Sequence, residues 1–360
     1  MFITIPKSKH TYKHTTIDFN QIVAKNILQQ NKTKTFETVT FIVDENTYKT
    51  HWTEYCKNIL KNFALDFDVK QMLSEDINKH YYSFKIPKAT HGFRNIDAPD
   101  EALKTVQYKI VNVLKILCRY THNSAHAYVT GRGTHTALQQ HQTANNNWFL
   151  KIDLKNFFGS CTNEFIYQQL IKISPFTLLK NDPECDIIIH DMIKLCCLNN
   201  VLPQGTPVSP MLTNLLMIPI DYRLNSIAPV YTRYADDLLF SWYTKPKIQT
   251  VLKTLHEIFK DTPLKINYEK TRLGSKSGRN WNLGLMLNSL NQITIGHKKK
   301  QQFRAMIDQF LYDPSKYTQS QKQKLAGTLS YYKHIEPEYI DYVVTKYNTK
   351  HNANLKELLK

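Results

Sequence analysis

Residues 230–242, VYTRYADDLLFSW, decide how this chain is read. The β-branched and aromatic residues on either side of Ala235-Asp236-Asp237 spell two short strands with a turn at the aspartates. Two adjacent carboxylates repel each other, and they lose hydration if the strands around them are buried. On its own such a pair is usually a solvated turn, so its surroundings carry the argument. Lys and Arg number 47 against 30 Asp and Glu, a formal charge of +17. A chain this basic is expected to face a polyanion or an acidic membrane surface, the alternative being a solvated basic surface with no specific ligand.

Working outward, the next acid in an apolar setting is Asp153, within WFLKIDLKNFFGS (148–160). A buried-looking strand precedes it and helices follow, so its carboxylate projects at a strand end. If the two strand regions are neighbours, Asp153 and Asp236 can face each other and share divalent cations. Hard ions such as Mg²⁺ prefer carboxylate oxygens, and a pair of them can clamp the attacking and leaving oxygens of phosphoryl transfer. The same ions would offset the repulsion between the carboxylates.

The rest of the 360 residues suits two or three structural units. Residues 1–35 read as a weakly ordered polar arm with a short helix around DFNQIVAKNILQQ, and FETVTFIV (36–43) as a strand. Helical periodicity covers 46–80. YYSFKIPK (81–88) and RNIDAP (94–99) form a hairpin around Gly92, and 101–120 is an amphipathic helix. LPQGTPVSP (202–210) breaks the chain before a helix from Met211, and 247–261 is a further amphipathic helix. Residues 279–296 read as two strands and everything from His297 as basic helix. The outline is α+β, a mostly antiparallel sheet with helices on one face.

Several classes are excluded. No apolar run approaches the roughly 18–20 residues of a membrane span, and the N-terminus lacks a signal-peptide core. The six cysteines form no CxxC pair and suit free thiols in a reducing cytosol. His10 and His14 have metal-like spacing, but no cysteine or carboxylate stands nearby.

Taken together, FLKIDLKNFF, LPQGTPVSP with its following LTN, and YADD resemble the motifs of reverse transcriptases, in that family's order. Upstream, IPKATHGFRNIDAP resembles the fingers segment. Downstream, LKINYEKT resembles the lysine-bearing segment and WNLGLMLN the primer-grip hairpin. The resemblance covers roughly residues 80–300. It implies a right-hand polymerase fold: an N-terminal extension (1–80), fingers (81–150 with part of 160–205), a palm (148–295) and a basic helical thumb (296–360).

The family's roles carry over onto matching positions. Asp153 and Asp236 would be metal ligands, for two Mg²⁺ ions or Mn²⁺ in their place, and Asp237 would complete the acidic triad. Lys88 and Arg94 would contact the incoming triphosphate, and Gln204 and Gly205 would lie against nucleotide and template. Phe158 would crowd the ribose 2′ position and so favour dNTPs, with either Phe157 or Phe158 belonging to the core. Lys270 would assist pyrophosphate departure, or be a surface lysine. Arg132, Gly284, Lys298, Lys299, Lys300 and Arg304 would hold primer and template, giving salt-dependent affinity rather than sequence reading.

Among bacterial members the wording most resembles retron enzymes, which extend DNA from a structured RNA partner in defence against phage. AHAYVTGRGTHTALQQH (125–141) resembles the retron insertion but departs from its Asn-Ala-x-x-His pattern: Thr136 replaces Asn, and three residues separate Ala137 from His141. The nearest match to the retron Val-Thr-Gly is Asn282-Leu283-Gly284. The implied partners are a structured non-coding RNA and its DNA product, dNTPs, a toxin or effector protein, and a second copy of the chain, in the cytoplasm and without a membrane. Other defence-associated reverse transcriptases, some protein-primed or untemplated, and an inactive RNA-binding relative are the competing readings.

Overall fold

A computed structural model describes residues 2–6, 38–42, 45–87, 92–275, 280–282 and 284–359. The short helix expected around residues 18–30, His10, His14 and Lys88 lie outside them. The chain divides into two compact units, residues 1–119 with 166–209, and residues 120–165 with 210–360.

The first unit opens with β1 (Phe2–Pro6), antiparallel to β2 (Thr38–Ile42). The expected polar arm therefore starts as a strand. FITIP is apolar and β-branched, and it is paired to a partner some thirty residues later, which no local pattern announces. The helical stretch expected over 46–80 is broken into α1 (Glu45–Leu65), α2 (Phe67–Ser74) and a 3₁₀ turn, Ile77–His80. The break falls at Asp66, which leaves the helical region and accepts from the backbone N–H of Asp68 and Val69 as an N-cap. β3 (Tyr81–Pro87) and β4 (Phe93–Pro99) form a two-stranded hairpin, and α3 (Glu101–Leu117) follows, capped by Asp100. α3 buries Leu103, Val106, Ile110, Val113, Leu114 and Leu117, the stripe its 3–4 spacing foretells.

Next in the chain come α4 (Thr134–Thr143) and β5 (Trp148–Lys155). Three helices follow: α5 (Asn163–Leu170), α6 (Phe176–Leu179) and α7 (Pro183–Lys194). α7 packs against α1, where Lys57 pairs with Asp182 and Lys61 with Glu184.

The remainder belongs to the second unit, apart from Ser209. α8 (Ser209–Leu224) leads to β6 (Val230–Tyr234), β7 (Asp237–Trp242) and α9 (Ile248–Phe259). β8 (Lys265–Ile266) and β9 (Arg272–Ser275) follow. β5 lies at the centre of an antiparallel sheet: β7 runs along one edge with β6 beyond it, and β8 and β9 pair with β5 on the other. Residues 280–295 form three strands where two were expected: β10 (Asn280–Asn282), β11 (Leu285–Leu287) and β12 (Ile293–Thr294). The extra strand arises because RNWNLGLMLN, expected as one strand, folds back on itself as β10 and β11 at Gly284, whose φ is +93°.

Leu138 of α4, Phe149 of β5, Leu239 of β7, Trp281, Leu285, Leu287 and Ile293 bury one another in a common core. The C-terminal helices α10 (His297–Tyr312), α11 (Gln319–Ile335), α12 (Pro337–His351) and α13 (Leu355–Leu358) enclose a second core around Phe303, Ile307, Phe310, Ile340 and Val343. All six cysteines are free and buried. No helix among the described residues is long and apolar enough to cross a membrane.

Candidate active site

Strand register assembles the site. Asp153 lies directly opposite Asp237 in the β5–β7 ladder, and the Leu154 N–H donates to the Asp236 carbonyl at 3.1 Å. Tyr234 pairs with Asp237, so the β6–β7 loop is only Ala235-Asp236. Asp237 is thus the first residue of β7 rather than part of the turn. Two-residue hairpin loops need a positive φ at their first position, and Ala235 adopts +55° although it is not glycine. Such a residue is strained and persists only where its surroundings fix it.

A buried ion pair supplies that fixing. Asp221 of α8 and Arg233 of β6 both have fully buried side chains, joined through Nε at 2.9 Å and NH2 at 2.7 Å. The Tyr231 hydroxyl donates to the same carboxylate at 2.8 Å. Arg233 NH1 donates to Asn214 Oδ1 at 3.1 Å and to the carbonyl of Ala235 at 3.4 Å. The strained turn is therefore tied to a charge pair that cannot move without leaving ions unpaired in the interior.

The three aspartates differ in their partners. Asp153 accepts from Asn267 Nδ2 at 3.0 Å and from Lys270 Nζ at 3.1 Å. Asp237 accepts from Lys151 Nζ at 2.7 Å. Asp236 has no ion pair among the described residues, and burial, followed by the charges of Asp237 and Asp153, raises its carboxyl above the ordinary aspartate range. In this arrangement no three His, Cys, Asp or Glu side chains converge on a metal position among the described residues. The donors nevertheless fit a hard divalent cation. Asp153 and Asp236 offer only oxygen, their repulsion is what such a cation offsets, and Asn267 beside them keeps a buried Oδ1 with no hydrogen-bond partner.

Phe157 is buried, whereas Phe158 is half-buried with its ring 5.7 Å from that of Phe157, edge-on. Phe157 is therefore the core residue of the two. Lys270 is mostly exposed and stands on Asp153 itself.

The other expected site residues are distributed as follows. In the first unit, Arg94 is exposed on β4. The Gln204 carbonyl accepts from the Asp97 N–H at 2.7 Å, seating the LPQGTP loop on β4. Gly205 has φ +119°, and a Cβ there would lie 2.6 Å from Ile96 Cγ2, so this position requires glycine both for its backbone and for its close approach. In the second unit, Arg132 directs NH1 at the carbonyls of His122, Asn123 and Ala125 at 2.9–3.2 Å, closing the loop before α4. Lys299 donates to the Gly284 carbonyl at 3.3 Å, Lys300 pairs with Glu336, and Arg304 donates to the Tyr339 hydroxyl at 3.1 Å. Of the basic run opening α10, Lys298 is exposed to solvent.

Four residues that sequence reading passed over belong to this neighbourhood. Lys151 stands two residues before Asp153 on the same strand face, and that spacing is a usable signal. Asn267 precedes Lys270 within the same expected segment. Asp221 and Arg233 are recognisable only once the fold buries both.

Over residues 86–324 the sequence matches the family described as reverse transcriptase (RNA-dependent DNA polymerase). Among curated proteins it is 29% identical over 309 residues to the retron Ec83 reverse transcriptase of Escherichia coli, spanning 81% of this chain and 94% of that one. It is 31% identical over 238 residues to the retron Mx162 reverse transcriptase of Myxococcus xanthus, spanning 59% of this chain and 48% of the other. The retron Ec73 reverse transcriptase of E. coli is 29% identical over 289 residues, 75% of this chain and 87% of its own. Among solved structures, apo telomerase from Candida tropicalis aligns at 13% identity with a TM-score of 0.47, covering 76% of this chain and 59% of that one. With two-thirds of its length matched by the family, and with Asp153, Asp236 and Asp237 gathered at one end of an antiparallel sheet, the chain belongs to the reverse transcriptases, RNA-directed DNA polymerases of right-hand fold, and is of the bacterial retron type.

Proposed function

We propose that the enzyme copies a structured non-coding RNA partner into DNA at Asp153 and Asp236, in the bacterial cytoplasm and as part of a defence against phage. The observation that carries the chemistry is the register that sets Asp153 opposite Asp237 and ties Leu154 to Asp236, bringing carboxylates from two strands to one edge. Those carboxylates would hold two Mg²⁺ ions, or Mn²⁺ in their place. When bound, such ions neutralise the triphosphate and acidify the attacking hydroxyl.

The chain's own residues do the positioning. Asn267 fixes one oxygen of Asp153, and the Asp221–Arg233 pair holds the turn that presents Asp236. Phe158, five residues after Asp153 and only half-buried, offers a ring against the sugar 2′ position, so that deoxynucleotides are preferred. The primer 3′ hydroxyl loses its proton to solvent as its oxygen bonds to the α-phosphorus, and the bond from that phosphorus to the bridging oxygen breaks to release pyrophosphate. The curated relatives bear retron names, which supports an RNA partner for this chain too.

Purification of the full chain from its native host, followed by sequencing of the bound RNA and DNA, tests this reading. DNA complementary to a single co-purifying RNA is expected, and it should be absent when Asp236→Asn replaces the wild type. A protein that carries RNA but never complementary DNA would overturn the reading.

A further inference from the structure

Two lysines are already bonded to two of the three aspartates, and they are held very differently. Lys151 and Asp237 meet at 2.7 Å with side chains only 12% and 16% exposed. Lys270 touches both oxygens of Asp153, at 3.1 and 3.3 Å, and Asp153 is 14% exposed, but the lysine itself is 65% exposed. Asp236 has no such cation among the described residues.

We propose that these lysines divide the work of the aspartates: Lys151 is a fixed counter-ion that withholds Asp237 from metal, and Lys270 is an exchangeable resident cation on Asp153 that a divalent ion displaces. The inference rests on the divalent-cation reading given above.

Burial separates the two roles. Strand alternation puts Lys151 on the face that carries Asp153, diagonal to Asp237 across the β5–β7 ladder. Parting that pair would strand two charges in a poorly hydrated place, so it persists whether or not metal is bound. Asp237 thereby accepts a strong charge-assisted bond on one oxygen and brings little net charge to the site.

Lys270 sits in the turn Asn267–Thr271, whose backbone closes through Lys270 N–H to the Asn267 carbonyl and Thr271 N–H to the Tyr268 carbonyl. Its ammonium is largely hydrated, so its attraction to Asp153 is screened and easily exchanged for that of a doubly charged ion. When the lysine leaves, Asn267 stays bonded to Asp153 through Nδ2 and keeps the carboxylate aimed. The freed ammonium remains tethered a few residues from the site, where an anionic leaving group would meet it.

The test is direct binding of Mn²⁺ to the full chain, read by the loss of the free-ion electron paramagnetic resonance signal, with no nucleotide present. Wild type should bind saturably and Asp236→Asn should not, which assigns the signal to this site. Lys270→Ala should bind about 2- to 5-fold more tightly, the strength of an exposed ion pair removed from competition, and Lys270→Arg should bind as wild type does. Replacing the buried pair together, Lys151→Met with Asp237→Asn, should leave affinity within about twofold. Unchanged or weaker binding by Lys270→Ala would overturn the exchange, and loss of binding in the double variant would make Asp237 a ligand and overturn the fixed pair. A wild type with no saturable Mn²⁺ binding would instead remove the divalent-cation reading itself, and this inference with it.

Discussion

Asp221→Ala is expected to be among the most damaging single changes outside the carboxylates of the site. Both members of the Asp221–Arg233 pair are fully buried, and the carboxylate answers three donors: Arg233 Nε, Arg233 NH2 and the Tyr231 hydroxyl. Truncation leaves a buried guanidinium facing Asn214 Oδ1, the Ala235 carbonyl and the Tyr231 hydroxyl, none of which carries a charge. Removing one partner of such a pair costs about 3–5 kcal/mol. In a domain of 150–250 residues each kcal/mol lowers the midpoint by roughly 2–4 °C, so a drop of about 6–20 °C is expected in thermal unfolding followed by circular dichroism. The loss should reach catalysis, because the same arginine steadies the strained Ala235 turn that presents Asp236. Asp221→Leu with Arg233→Met should regain most of the stability, since a matched apolar pair can replace a buried ion pair at little cost. An Asp221→Ala protein melting within about 2 °C of wild type would refute the reasoning.

Three further outcomes are expected. Phe158→Ala should lower the preference for dNTPs over rNTPs by about tenfold or more in primer extension, a clash worth at least ~1.4 kcal/mol, whereas unchanged discrimination would remove Phe158 from the sugar pocket. Gly205→Ala should destabilise by about 1–3 kcal/mol through its φ of +119° and its contact with Ile96, and adding Ile96→Ala should relieve the contact but not the backbone strain, as denaturant melts would report. His141 is buried between Ser241 Oγ (2.6 Å) and Thr232 Oγ1 (2.9 Å), and burial pushes its pKa down to about 3. With the folded value below the unfolded 6.5, its contribution is complete above pH 6.5 and is lost as pH falls toward 3, at up to ~1.4 kcal/mol per pH unit. Melting temperatures from pH 7.5 to 5 should show this slope, and His141→Gln should reduce it.

Much of the site was legible because it is written in local pattern. The apolar strand leading to Asp153 and the helical stripe of Leu103 to Leu117 form as expected, and the hairpin at Ala235-Asp236 forms too, with Asp237 in β7 rather than in its turn. LPQGTP was readable for a different reason, since only glycine tolerates the backbone of Gly205. What escaped reading depends on long-range pairing or on burial. β1 is a strand because of a partner some thirty residues away, and the three strands of 280–295 are too short for any period. Lys151 is set beside Asp237 by the β5–β7 ladder, and Arg233 meets Asp221 only in the folded interior, so no local pattern marks either pair. Charge counting also overstated the free basic surface of the C-terminal helices. Lys299, Lys300 and Arg304 each bond to a group within their own unit, which a tally of basic residues cannot foresee.

The most direct test of the central claim is incorporation of labelled dNTP by the purified chain on a primed RNA template with Mg²⁺, comparing wild type with Asp153→Asn and Asp236→Asn. Wild type should extend the primer, and each substitution should lower the rate at least ~10³-fold while RNA binding and melting temperature hold. A folded, RNA-bound wild type that does not extend, or a variant that extends as fast as wild type, would contradict the account.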